Sequence, residues 1–232
     1  MADAAATGGV AAAVAERAGR SLGTSGAAIY RAVARELAGR PAGGLLVDVG
    51  CGVGKLWGFV APLFDSYVGV DAVRYPGFPD GGEFLRLDLD AGRAPLPDGA
   101  ADVVAGVETI EHLENPRAFA RELARLCKPG GWVVVTTPNQ LSLLSKLTLT
   151  LFNEFNAFRA GSYPAHLTAL LEVDLRRIAA ECGLTDVRVA YTESGRVPGT
   201  ARMFPGVLSR RLPRSLSDNV LLVARKPAAE AA

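Results

Sequence analysis

The stretch LLVDVGCGVGKL, residues 45–56, decides the fold of this chain. Residues 45–50 form a short apolar run with branched side chains, which is typical of a buried strand. Glycines follow at Gly50, Gly52 and Gly54, and residues 53–64 have a helical pattern. A strand, a glycine-rich turn and a helix in this order predict a parallel sheet in which a ligand approaches the turn. The turn differs from the dinucleotide pattern G-x-G-x-x-G, because Lys55 stands where its third glycine belongs.

Similar units repeat along the chain on both sides of this stretch. The patterns predict further strands at 67–72, 83–89, 101–108, 132–138, 185–191 and 219–225, and helices within 10–39, from Asn115-Pro116 to about Cys127, and over 172–183. Alternating strands and helices predict an α/β fold with a doubly wound, mostly parallel sheet. Residues 192–218 show no crossover helix, so we expect the last two strands to form an antiparallel hairpin.

The chain of 232 residues is expected to form a single domain, 1–232, with an N-terminal helical cap, 10–39, and an insertion, 139–171. Its formal net charge of +1 argues against a nucleic-acid partner. The three cysteines lack metal-ligand spacing and favour a reducing compartment. With no basic leader pattern and no apolar run of roughly 18 residues, a cytoplasmic location is expected.

Acidic residues stand at the ends of four predicted strands: Asp48, Asp71, Asp88 and Glu108. The carboxyl ends of parallel strands meet at one edge of the sheet, so these acids are expected to surround the glycine turn. They would repel a pyrophosphate but suit a cationic cofactor with a free ribose diol. Asp71 is placed where a nucleotide-binding unit has its ribose-binding acid.

Taken together, these motifs resemble the class I S-adenosylmethionine-dependent methyltransferases. LLVDVGCGVGKL is similar to their glycine motif, VGVDA to the ribose motif, FLRLDLD to the adenine motif, and ADVVAGVETIEHLENP and RLCKPGGWVVVTTPN to the next two blocks. The resemblance implies a seven-stranded, Rossmann-like sheet with the last strand antiparallel. It also implies S-adenosyl-L-methionine as cofactor.

The resemblance assigns cofactor-binding roles to nine positions. Asp48 and the backbone of Gly50, Cys51 and Gly52 would hold the methionine portion, and the backbone at Glu108 would contact it as well. The ribose would lie at Asp71 and Ala72, and the adenine at Asp88 and Leu89.

The segment VETIEHLENP, 107–116, gathers Glu108, Glu111 and His112, and the chain's second histidine is His166. Three interpretations remain open. The residues shape a loop, or His112, with Glu111 beside it, is the catalytic base. In the third, Glu108, Glu111, His112 and His166 bind Mg²⁺ or Mn²⁺. This pattern resembles the ubiquinone-biosynthesis O-methyltransferases and the terminal-ribose RNA methyltransferases, in which a divalent cation has been associated with it.

Two further segments bear on the acceptor. Residues 140–158 are apolar with few charges, and we interpret them as a lid over the acceptor site, with peripheral membrane contact as the alternative. Residues 194–217 contain five arginines and no acid. They form either a solvated loop or a patch for an anionic group.

The sequence therefore predicts an S-adenosylmethionine-dependent methyltransferase that acts on a hydroxyl, with a diol as one option, of a small-molecule acceptor. Methylation of an RNA terminal ribose, N- or C-methylation, and a non-catalytic cofactor-binding regulator are the alternatives.

Overall fold

Seven strands form one sheet in the computed structural model, which describes residues 23–40 and 43–229. The strands are β1 (Leu45–Val49), β2 (Ser66–Asp71), β3 (Glu83–Arg86), β4 (Ala101–Val107), β5 (Cys127–Pro138), β6 (Thr185–Tyr191) and β7 (Asn219–Arg225). Their order across the sheet is β3-β2-β1-β4-β5-β7-β6. The pairs among β1 to β5 are parallel, and β7 is antiparallel to both β5 and β6. The predicted doubly wound sheet with an antiparallel last strand is confirmed.

Helices cover both faces of the sheet. They are α1 (Ala27–Ala38), α2 (Trp57–Val60), α3 (Pro116–Leu126), α4 (Leu143–Phe152), α5 (Glu172–Glu181), α6 (Gly206–Arg211) and α7 (Pro213–Leu216). Of the two helices predicted within 10–39, the second is α1, and the first lies outside the described residues.

Side chains along β1 alternate between the two faces. Leu46 lies in the same core cluster as Val33 of α1, and Val47 lies in a second cluster with Phe119 of α3. Asp48 shares the α1 face with Leu46, because side chains two positions apart in a strand point the same way. The sheet thus carries a buried acid on one face, directly before the glycine turn.

Two predicted elements need correction. The helix predicted over 53–64 is reduced to α2 and a 3-10 turn, Ala61–Leu63. Gly54 has a positive φ of 71°, which is outside the helical region, and Pro62 has no N–H to donate. Residues 192–218, predicted to be non-helical, contain the short helices α6 and α7. Pro205 is the N-cap of α6, and Pro213 is the first residue of α7, a position that suits proline.

The insertion consists of α4 and two 3-10 turns, Asn156–Phe158 and Ala160–Ser162. The Ser142 hydroxyl caps α4 by accepting a hydrogen bond from the Ser145 N–H at 3.1 Å. Helix α4 ends at Asn153, which adopts a left-handed conformation. Within the described ranges, no helix has the length and apolarity needed to cross a bilayer.

Helix α3 begins as the sequence predicts, with Asn115 as the cap and Pro116 at the first position. The Asn115 side-chain oxygen accepts from the Ala118 N–H at 2.9 Å. Asn115→Ala should lower the free energy of unfolding by about 1 kcal/mol, because that N–H loses its partner. Urea denaturation measures the change. Asn115→Ser retains a capping oxygen and should behave like wild type, and equal losses in both variants would contradict the capping role.

Candidate active site

A cavity of about 510 Å³ opens at the carboxyl ends of β1, β2 and β4. It lies where strand order reverses, since the chain leaves β1 for β2 on one side and returns to β4 on the other. Every residue predicted to bind cofactor lines it: Asp48, Gly50, Cys51, Gly52, Asp71, Ala72, Asp88, Leu89 and Glu108. Glu111, His112 and His166 line it as well.

The glycine turn after β1 keeps its backbone open to the cavity. Gly50 has φ 80° and Gly52 has φ 53°, both in the left-handed region. A Cβ at Gly50 would collide with the Thr109 side chain, and a Cβ at Gly52 would collide with the carbonyl of Gly23. Only glycine fits these positions, so the turn presents bare backbone to a ligand.

Asp48 is a buried acid beneath the turn, with 2% of its surface exposed. Its Oδ2 accepts a hydrogen bond from the Tyr67 hydroxyl at 3.0 Å, and Oδ1 has no partner among the described residues. Burial raises the pKa of Asp48 to about 7, the Tyr67 hydrogen bond opposes this rise, and Asp71 adds to it. A positively charged group in the cavity would favour the ionised form.

Asp71 connects the loops that follow β1 and β2. Its Oδ2 accepts from the Gly52 N–H at 2.8 Å, and Oδ1 accepts from the Val73 N–H at 3.2 Å. Burial raises its pKa, and the backbone N–H groups oppose the rise. Asp88 and Leu89 follow the end of β3 and complete this side of the cavity.

Glu108 follows β4 with an unusual positive φ of 51°. Its carboxylate accepts hydrogen bonds from the Thr136 hydroxyl at 2.8 Å and from the Asn219 amide at 2.6 Å. Burial raises the pKa of Glu108 to about 7, although both hydrogen bonds oppose the rise. Its carboxylate is therefore held by β5 and β7.

Glu111, His112 and His166 form a compact cluster at the cavity wall. One ligand-type atom from each lies within 4.8 Å of the others, and the two imidazole centroids are 4.8 Å apart. Glu108, the fourth residue predicted as a metal ligand, is outside this group. The cluster therefore contains three of the four predicted metal ligands. The Glu108 carboxylate is instead hydrogen-bonded to Thr136 and Asn219.

Both histidines have their tautomer set by backbone carbonyls. His112 Nδ1 lies 2.7 Å from the Ala165 oxygen, and His166 Nδ1 lies 2.6 Å from the Ala157 oxygen. A carbonyl only accepts, so Nδ1 donates and Nε2 carries the lone pair of the neutral ring. Burial lowers the pKa of His166, which keeps that ring neutral at pH 7.

Glu111 is fully buried, and neither carboxylate oxygen has a hydrogen-bond partner of normal geometry among the described residues. Burial raises its pKa well above the usual value, and the nearby Glu108 carboxylate raises it further. Its own backbone and the Thr137 hydroxyl only partly oppose these effects. A buried acid of this kind is either protonated or matched by a cation.

The end of the insertion brings His166 to this cluster. The Leu167 and Thr168 N–H groups both donate to the Glu111 carbonyl, at 2.8 and 3.0 Å. The Thr168 hydroxyl also donates to the Leu113 carbonyl at 3.1 Å. Gly161, Ser162 and Ala165 line the cavity with His166, whereas residues 140–158 are not part of its lining in the described chain.

Sequence patterns did not identify several residues that support the site. Tyr67, Thr136 and Asn219 hold the buried acids, and all three lie in strands as ordinary strand residues. Residues 23–25 also line the cavity, and the Gly23 carbonyl accepts from the Val53 N–H at 2.9 Å. The sequence feature that could have indicated residues 23–25 was the break between two predicted helices at 23–26.

Known proteins resemble this chain over most of its length. Residues 24–189 match the family model of a methyltransferase domain. A "probable S-adenosylmethionine-dependent methyltransferase" of Mycolicibacterium smegmatis is 28% identical over 192 residues, which are 82% of this chain and 71% of that protein. A ubiquinone biosynthesis O-methyltransferase of Bordetella avium is 33% identical over 115 residues, which are 46% of this chain and 47% of that protein.

Solved structures agree on the fold. A structure described as a SAM-dependent methyltransferase from Archaeoglobus fulgidus has a TM-score of 0.60 with this chain. The two sequences are 19% identical, and the match covers 84% of this chain and 92% of the other.

Asp71 offers a direct test of the cavity. Asp71→Ala should weaken binding of S-adenosylhomocysteine by about 1.5–3 kcal/mol, because a charged acceptor for the ribose hydroxyls is lost. Asp71→Asn retains an acceptor for the Gly52 N–H and should show a smaller loss. Titration calorimetry measures both, with Asp80→Ala as control, since Asp80 is exposed and outside the cavity lining. Unchanged affinity in Asp71→Ala would contradict the assignment of the ribose site.

Proposed function

Because the chain belongs to the class I S-adenosylmethionine-dependent methyltransferases, we propose that it transfers the cofactor's methyl group to a hydroxyl oxygen of a small-molecule acceptor. The observation that carries this proposal is the meeting of Glu111, His112 and His166 at the wall of the cofactor cavity. A hydroxyl becomes a better nucleophile when it loses its proton, and these residues are suited to promote that loss. The likeness to a ubiquinone biosynthesis O-methyltransferase supports oxygen as the acceptor atom.

The three residues also fit a divalent cation. The Glu111 carboxylate is buried without a partner of normal geometry, and a cation would compensate its charge. Both imidazoles have Nδ1 hydrogen-bonded to a carbonyl, which is the usual arrangement around a metal-binding histidine. One carboxylate oxygen and two imidazole nitrogens suit Mn²⁺ better than Mg²⁺, which prefers oxygen ligands, and they leave positions for acceptor oxygens. When bound, such a cation lowers the pKa of a coordinated hydroxyl.

Each residue then has a defined task. Glu111, His112 and His166 hold and orient the acceptor hydroxyl at the cavity wall, and the insertion residues around His166 complete that wall. Glu108 stays with Thr136 and Asn219, and its backbone would contact the methionine portion of a bound cofactor. The cofactor already carries an activated methyl group, so alignment of the acceptor oxygen with that methyl is the main contribution of the protein.

A second mechanism uses the same acceptor without a metal. In it, His112 alone takes the hydroxyl proton, and its Nδ1 contact with Ala165 sets Nε2 as the base. His166 is then a wall residue. The two mechanisms differ in their need for a cation and in the importance of His166, so both differences are measurable.

With a cation at the cluster, methyl transfer to a vicinal diol should stop in EDTA and return with Mn²⁺. Glu111→Gln and His166→Ala should each raise the Mn²⁺ concentration for half-maximal activity by at least about ten-fold, because each removes a ligand. Binding of S-adenosylhomocysteine should stay nearly unchanged. Glu114→Gln is a neighbouring control, because Glu114 is exposed and outside the cluster.

The pH dependence of Mn²⁺ binding follows from the protonation of its candidate ligands. Burial and the nearby Glu108 carboxylate raise the pKa of Glu111, so a proton competes with Mn²⁺ for this carboxyl group. Mn²⁺ binding should therefore be linked to proton release and strengthen as pH rises. Acid weakens it further once His166 protonates, and burial lowers the pKa of His166 below the ordinary histidine value. Calorimetry in buffers of different ionisation enthalpy measures the proton release. Full turnover in EDTA, with loss of activity in His112→Ala alone, would exclude the cation and leave His112 as base.

A further inference from the structure

Exposed apolar side chains are concentrated in two segments of the chain. Nine of the eleven large apolar side chains that are exposed in the described ranges lie in α4 and in residues 203–212. Leu151 is 61% exposed and Phe152 53% on α4, and Leu212 is 59% exposed in the second segment. Such a concentration is unusual on the surface of a soluble protein and marks an interaction site.

A groove and a hydrogen bond connect these two segments. A groove of about 560 Å³ lies between Leu147, Leu151 and Phe152 of α4 and residues 198–201. The chain continues from there through a bridge between Arg196 and Met203 into α6 and α7. The Asn139 amide, just before α4, donates to the Arg214 carbonyl at 2.8 Å. We refer to α4 together with residues 196–214 as the leucine–arginine face.

This face is strongly cationic. Residues 196–214 contain five arginines and no acid, although the whole chain carries a net charge of only +1. All five are exposed, and Arg214 pairs with Glu172 at 3.6 Å. Arg210 and Arg211 have no acid within 4.0 Å in the described part of the protein. The sequence of 140–158 lacks a basic cluster of its own, and the fold supplies one from the later segment.

We propose that the leucine–arginine face docks on an anionic lipid bilayer. Leucine and phenylalanine side chains enter the boundary between headgroups and acyl chains, where burial of apolar area stabilises them. The arginines stay at the headgroups, since their long stems cover apolar surface while the guanidinium contacts phosphate. A bilayer with acidic headgroups offers the required apolar interior and negative surface together.

The docking face is connected to the candidate active site. Helix α4 leads into residues 156–158, where the Phe158 ring lies 5.4 Å from the His166 ring and the Ala157 carbonyl accepts from His166. Docking would therefore bring the insertion's cavity wall close to the lipid surface and favour acceptors dissolved in the bilayer. This consequence rests on the proposed function, whereas the docking itself does not.

Flotation with vesicles tests the docking. The full chain should float with vesicles of phosphatidylcholine mixed with phosphatidylglycerol and should not float with phosphatidylcholine alone. Raised salt should weaken the binding, because it screens the electrostatic attraction between the arginines and the anionic headgroups. Calorimetry with S-adenosylhomocysteine, run in parallel, reports on the cofactor cavity. Failure of the docking is then distinguishable from failure of the methyltransferase site.

Substitutions at exposed positions test whether the leucine–arginine face is the surface that binds vesicles. Phe152→Ser should weaken binding to the mixed vesicles about ten-fold, since an apolar side chain no longer enters the bilayer. Arg210→Gln and Arg211→Gln should each weaken it about five-fold. Val173→Ser and Arg86→Gln are matched controls, because Val173 lies on α5 and Arg86 on the opposite edge strand β3, and both are exposed. The controls should bind like wild type.

Several results would overturn the proposal. One is the absence of wild-type binding to the mixed vesicles, and another is equal binding by wild type, Phe152→Ser and Arg210→Gln. A third is self-association through this face, seen by light scattering as a dimer that Phe152→Ser dissolves. Binding of single-stranded RNA by wild type, with no binding to vesicles, would assign the arginines to a different partner.

Discussion

The site depends on the pairing of β1 with β2 on one edge and with β4 on the other. This pairing makes the loops after the three strands diverge, and a cavity opens at the carboxyl end of β1. The hydrogen bond from Gly52 to the Asp71 carboxylate then ties two of these loops together. With left-handed backbone at Gly50 and Gly52, the first loop is narrow enough for a ligand to lie against it.

Buried acids determine the chemistry of this cavity. Burial raises the pKa values of Asp48 and Glu108 to about 7, and raises that of Glu111 well above its usual range. A carboxyl group whose pKa is raised on folding favours the fold at low pH, and this contribution is lost as pH rises through the raised value. A cationic ligand beside the ionised carboxylate restores the lost stabilisation of the fold. The cavity is thus suited to a sulfonium cofactor near Asp48, and a divalent cation at Glu111 would have the same effect.

The sequence predicts those parts of the structure that depend on local pattern. The glycine turn, the strand-end acids and the Asn115 cap are each encoded within a few residues, and all were found in the expected places. Contacts between distant segments were not predictable in this way. The hydrogen bonds from Leu167 and Thr168 to the Glu111 carbonyl, and from Asn219 to Glu108, join residues more than 50 positions apart. The groove between α4 and residues 196–201, to which Arg196 contributes, was likewise not predictable from local pattern.

Under the proposed function, the cofactor cavity and the Glu111, His112 and His166 cluster form one active site. Anomalous diffraction from crystals grown with S-adenosylhomocysteine and Mn²⁺ tests it most directly. We expect the cofactor product against Asp48 and Asp71, and one manganese peak within bonding distance of Glu111, His112 and His166. Bound cofactor product with a manganese peak elsewhere, or with no peak, would contradict a shared metal-dependent site.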